Sequence, residues 1–85
     1  MKTLKILVMM NNQMLITQIE EVSSDLGEPD CKLIEPFIIN QSTGSLEPYL
    51  LDFTSDNEFM IHSDKIFTIV EPNSKLKKKY EELLK

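Results

Sequence analysis

The stretch Phe59–Pro72, FMIHSDKIFTIVEP, decides how this chain is read. Two apolar runs rich in β-branched residues, Phe59-Met60-Ile61 and Ile66-Phe67-Thr68-Ile69-Val70, flank the polar break His62-Ser63-Asp64-Lys65. Branched and aromatic side chains fit a pleated, half-buried surface, so both runs are predicted strands. The break between them is too short for a domain linker and too polar for the interior of a buried strand. It is therefore read as a tight turn, and it holds the only histidine of the chain.

Toward the C-terminus the period changes after Pro72. Leu76, Tyr80, Leu83 and Leu84 stand at i, i+4, i+7 and i+8, which places them on one helical face. Asn73 or Ser74 can cap the start of this helix, predicted over 73–85. Lys85 suits the negative end of the helix dipole, whereas Glu81 and Glu82 do not.

Toward the N-terminus, Ile6–Met10 reads as a strand buried on both faces. Asn11-Asn12 follows, and asparagine tolerates positive φ, so a hairpin turn is expected there. Gln13–Val22 is the return strand, with Met14, Ile16 and Val22 on one face and Gln13, Thr17 and Glu21 on the other. Leu15 and Ile19 break the alternation. A helix over Met14–Gln18 competes, but the branched residues favour the strand. Ser23–Asp30, with Gly27 and Pro29, is a turn cluster. Cys31–Ile39 is the next strand, and Pro36 within it marks an edge or a bulge. Asn40–Pro48 reads as a polar loop around Gly44, Tyr49–Phe53 as a short strand and 55–58 as a turn. Five or six short strands and one terminal helix make a mainly β domain over 1–85, a small strongly bent barrel (4–72) followed by a helix (73–85).

Composition narrows the function. A chain of 85 residues fits one domain. At that size a domain buries only roughly 60–65% of its unfolded surface and gains from oligomerising. The net charge is −5, and all nine basic residues are lysine. Without arginine there is no bidentate fork for phosphate or guanine, so general nucleic-acid binding is disfavoured. Lys75, Lys77, Lys78, Lys79 and Lys85 follow Pro72, so the body is acidic and the tail basic. This lysine run can serve as an electrostatic footprint for RNA or as a plain solvated helix face. The single cysteine, Cys31, has no internal partner, which points to a reducing compartment. Ile6–Met10 is too short for a membrane span or a signal-peptide core. The expected location is the cytoplasm, that of the host if the protein is viral, with no membrane partner.

Catalytic chemistry is sparse. There is no Cys-x-x-Cys pair, no second histidine and no glycine-rich phosphate loop. Neither a metal site nor a cofactor is expected, and no enzyme activity. Cys31 with His62 can form a nucleophile pair, or Cys31 is a small buried strand residue. Asp52, Asp56 and Glu58 can hold a hard cation weakly, or simply serve a turn.

The segment IHSDKIFTIVEP resembles the second sequence motif of the Sm/LSm-like family, with Ile61, Asp64 and Ile66 at the aliphatic, Asp and aliphatic places. His62 stands at the family's Arg place and Ser63 at its Gly place. ILVMMNNQMLITQIEEV resembles the first motif, with Thr17 where the family has a strand glycine and Asp30-Cys31-Lys32 near the family's Asp-x-apolar-Asn loop. Over nearly its whole length the chain is similar to short Sm-like proteins of tailed phages, marine cyanophage-type sequences above all. The matching pieces are Leu33-Ile34-Glu35-Pro36, Pro48-Tyr49-Leu50 and Val70-Glu71-Pro72-Asn73 with Leu76 and Tyr80. The resemblance implies a five-stranded Sm-like (SH3-type) barrel whose copies pair edge to edge into a homo-oligomeric ring of about five to seven subunits. It implies an interface of Phe59, Met60 and Ile61 against Ile66, Phe67, Thr68, Ile69 and Val70. It also implies single-stranded RNA at His62, Ser63, Lys32 and Asp30, where a histidine stacks and donates. The alternative is a structural or protein-interaction ring that has lost RNA binding, which the missing arginine favours. One departure is topological, because the family helix comes first and here it comes last.

Overall fold

The computed structural model describes residues 3–23, 25–49, 56 and 58–84. The strands are β1 (Thr3–Met9), β2 (Met14–Glu21), β3 (Cys31–Ile39), β4 (Leu46–Pro48), β5 (Glu58–Ile61) and β6 (Ile66–Val70). A single 3-10 turn, Ser63–Lys65, joins β5 to β6, and helix α1 (Ser74–Leu83) ends the described chain. All pairings are antiparallel, in the order β4-β3-β2-β1-β6, with β5 also on β3. β4 pairs with Phe37–Ile39 and β5 with Cys31–Ile34, so the two share one edge of β3 and lie along its two halves.

The β1–β2 hairpin forms where the asparagines predict it. Asn12 takes the positive φ, +70°, while the Asn11 side chain accepts from the Gln13 amide at 3.0 Å. The connection is one residue longer than expected, closed by the Met9 amide on the Gln13 carbonyl at 2.8 Å.

The expected break at Pro36 is a bulge. Ile16 pairs with Phe37 and Gln18 with Ile34, so Thr17 alone faces Glu35 and Pro36. The extra residue bends the pair and raises its twist, and Glu35 meets the bend with φ +50°. Thr17 is fully buried there, and its hydroxyl lies 3.1 Å from the Ile34 carbonyl and 2.9 Å from that of Gln18.

The central strands β1 to β3 are packed on both faces, which explains the broken alternation in β2. One face carries Ile6, Ile16, Phe37 and Ile39, packed by Leu76 and Tyr80 of α1. The opposite face carries Leu7, Leu15 and Leu33, packed by Ile19, Ile38, Tyr49, Ile61 and Ile66. Asn73 caps α1, accepting from the Leu76 amide at 2.9 Å. Tyr80 is 2% exposed and meets Phe37 edge-on at 5.8 Å. Burying a ring of this size contributes roughly 1.5–3 kcal/mol.

One expectation changes. Leu46–Pro48, read as loop, is a strand that folds back on Phe37–Ile39 across residues 40–45, where the Asn40 amide donates to the Ser45 carbonyl at 2.8 Å. The described strands form one antiparallel open sheet, with no ladder between β5 and β6. The strand expected over Tyr49–Phe53 falls, beyond Tyr49, outside the described residues, as do Asp52 and most of the 55–58 turn.

Candidate functional site

The turn between β5 and β6 is tied to the start of β3. The Ser63 amide donates to Asp30 Oδ1 at 2.7 Å, and the Ser63 hydroxyl to Asp30 Oδ2 at 2.6 Å. The Asp30 amide in turn donates to the Ile61 carbonyl at 3.2 Å. The Lys65 amide closes the 3-10 turn on the His62 carbonyl at 3.1 Å, and the Lys65 carbonyl accepts from the Met10 amide at 2.9 Å. Asp30 and Ser63 are thus brought together, beside His62 in the chain. The two bonds from Ser63, helped by the nearby His62, hold the Asp30 carboxyl below the usual carboxylate range. Lys32 is drawn elsewhere, with its ammonium 3.4 Å from Glu58 Oε1 on β5.

The second feature is the seam between β5 and β6. Among the described residues, the edge of β6 away from β1 and the edge of β5 away from β3 carry no partner strand. β6 is apolar yet open, with Phe67 73% and Ile69 51% exposed. Met60 on β5 and Val70 at the end of β6 are exposed as well. A cavity of about 750 Å³ opens beside β6, with Ile19, Cys31, Ile66, Phe67 and Ile69 in its wall and Lys5 at its side.

A family model described as a family of unknown function, DUF6561, matches residues 2–85. The chain belongs to the DUF6561 family. A search of curated proteins finds no significant match. The family match runs from β1 through α1, so the turn and both free edges lie within it.

Lys5 is a residue of this DUF6561 chain that sequence reasoning passed over. It pairs with the buried Thr17, and its ammonium donates to Glu71 Oε1 at 2.8 Å. That bond and the lysine charge lower the Glu71 carboxyl. The signal was present in the spacing, since Lys5 and Leu7 stand two apart in a strand and share a face.

Cys31, the candidate nucleophile of the DUF6561 chain, pairs with Ile61 next to His62. Cys31 is 5% exposed, and burial, then the charges of Asp30 and Glu21, push its thiol up. An activated thiolate needs the opposite environment. Among the described residues no group of three His, Cys, Asp or Glu stands together to hold a metal ion. No helix of the described chain is long and apolar enough to cross a membrane.

Proposed function

We propose that this DUF6561 protein is an Sm-like assembly module whose copies join β6 of one to β5 of the next and close into a ring. The observation that carries the reading is β6 itself, an apolar edge strand with Phe67, Ile69 and Val70 exposed and no strand beyond it among the described residues. An exposed apolar edge is an aggregation hazard in a monomer, and a neighbouring strand removes it. Head-to-tail contacts that close leave no edge open. Covering Phe67 alone contributes on the order of 1.5–3 kcal/mol.

The Sm-like barrel belongs to the same proposal. With β4 and β5 sharing one edge of β3, the sheet has five strand positions, and a 3-10 turn links the last two strands. A neighbour's strand at the seam supplies the pairing that the open sheet lacks.

Single-stranded RNA at the turn is the second reading, favoured by the meeting of Asp30, His62 and Ser63. It is the weaker one, because both Ser63 donors already bond to Asp30 and Lys32 lies beside Glu58. What remains for an RNA strand is His62 next to a carboxylate. The proposal assigns no catalytic role.

Replacing Ile69 by lysine tests the assembly reading, since a charge on an edge strand blocks pairing. Ile69→Lys is expected to elute as a monomer with an unchanged far-ultraviolet spectrum, while the parent protein elutes as an oligomer. Equal elution volumes for the two proteins contradict the reading.

A further inference from the structure

We infer that the two edges meet in a single register, with Glu58 of one copy opposite Val70 of the next, Phe59 opposite Ile69, Met60 opposite Thr68 and Ile61 opposite Phe67. The inference rests on the assembly proposed above and specifies its contact.

Side-chain parity comes first. In β1, Ile6 and Leu7 belong to opposite faces of the sheet. Ile69 pairs with Leu7, whereas Thr68 pairs with Val8 and Val70 with Ile6. Ile69 therefore lies on the Leu7 face, and Thr68 and Val70 on the other. Phe59 pairs with Leu33, which packs in the Leu7 cluster together with Ile61. Glu58 and Met60 lie on the opposite face. Joining like faces sets Phe59 and Ile61 beside Ile69 and Phe67. Joining unlike faces sets Glu58 and Met60 there instead and buries less apolar surface. Every pairing in this sheet is antiparallel, and the antiparallel ladder is the more stable per residue.

Parity and direction leave steps of two residues. Shifting toward the C-terminus, with Met60 opposite Val70, puts Phe59 against the charged Glu71 and Glu58 against Pro72, which has no amide to donate. Shifting the other way puts Ile61 against Lys65 inside the 3-10 turn. It also sets Met60 opposite Ile66, which packs on the Leu7 face. Only the register with Met60 opposite Thr68 matches all of β5 to strand residues of β6. It creates aromatic-to-aliphatic pairs at Phe59–Ile69 and Ile61–Phe67, the kind that stabilises a sheet. The bulge between Val8 and Met9 in the β1–β6 ladder supports this, because Phe67 is the residue it leaves unpaired and is more exposed than Ile69 or Val70.

Disulfide trapping reads the register directly, since paired cysteines need Cα atoms no more than about 7 Å apart. In a Cys31→Ala background, Met60→Cys with Thr68→Cys is treated with oxidised glutathione and run on a denaturing gel. Met60→Cys with Val70→Cys serves as the comparison. The expected result is a ladder of covalent oligomers from the first pair, lost on reduction, and none from the second. A ladder from the second pair alone overturns the register. So does the absence of a ladder from both when light scattering still finds oligomers, although edge assembly then survives. Monomers by light scattering for both variants and for the parent chain overturn the assembly and the register together.

Discussion

The hydroxyl of Tyr80 in α1 donates to the carbonyl of Glu35 in β3 at 2.9 Å. The Ile34 carbonyl is close by at 3.2 Å, and Gln18 Nε2 donates back to the phenol oxygen at 3.3 Å. Glu35 is the residue with φ +50° at the bulge. A bulge disrupts the ladder and leaves backbone groups in need of partners. The terminal helix supplies one, so it fastens the sheet at this bulge as well as covering an apolar face.

Tyr80→Phe keeps the ring and removes the hydroxyl, leaving that bend without its donor. The expected loss is about 1–2 kcal/mol by urea unfolding. Tyr80→Ala adds a cavity and is expected to cost about 3–5 kcal/mol. Burial also raises the Tyr80 phenol above its ordinary value. A raised pKa for a group that loses a proton means that folding favours the protonated form. Its contribution is complete below about pH 10, the unfolded value, and falls as pH rises through the folded one. Unfolding midpoints for Tyr80→Phe are therefore expected to be less sensitive to alkali than those of the parent.

Asp30 and Ser63 behave in the opposite sense. The Asp30 carboxyl is lowered by the Ser63 bonds, so its contribution is present above about pH 4 and is lost as pH falls through the folded value. The pair is exposed, so the effect is small and weakens with salt. Ser63→Ala is expected to flatten the acid limb of the stability curve. It is also expected to speed amide exchange in the Ser63–Ile66 segment. An unchanged exchange rate there means that the two bonds do not hold the turn.

Asn12 occupies the left-handed region at φ +70°, where a residue with a Cβ pays about 1–2 kcal/mol and asparagine less. Asn12→Ala is expected to destabilise by about 1 kcal/mol, and Asn12→Gly to leave stability level or slightly raised. The Met9 to Gln13 closure uses backbone atoms only, so both variants retain it. Thermal midpoints of the two proteins check the ordering.

The legible parts of the fold are those set by local chemistry. The asparagine turn, the break in the ladder at Pro36 and the helical spacing of Leu76 and Tyr80 could be read from neighbours in sequence. The break His62–Lys65 read as a turn for the same reason, and it is one. What depended on pairing rather than on a segment's own pattern was harder to see. Leu46–Pro48 is three residues long, has no alternation of its own and shows as a strand only by its pairing with Phe37–Ile39. Alternation set Thr17 on a face with the polar Gln13 and Glu21, and it is buried because the bend encloses it. Between Asn73 and Ser74, composition could not choose the cap, whereas geometry does. At the candidate site, the pairing of Asp30 with Ser63 spans 33 residues, and only the family resemblance placed them near each other. That Ser63 spends its donors on Asp30 is a matter of side-chain geometry, which spacing does not encode.

The measurement that bears most directly on the edge-assembly proposal is the absolute mass of the unmodified protein by light scattering on a sizing column, at low and at high salt. Strand pairing backed by apolar contact is little affected by screening. The account predicts a mass several times the 9.9 kDa of one chain, the same in both buffers. A mass equal to a single chain in both buffers contradicts it.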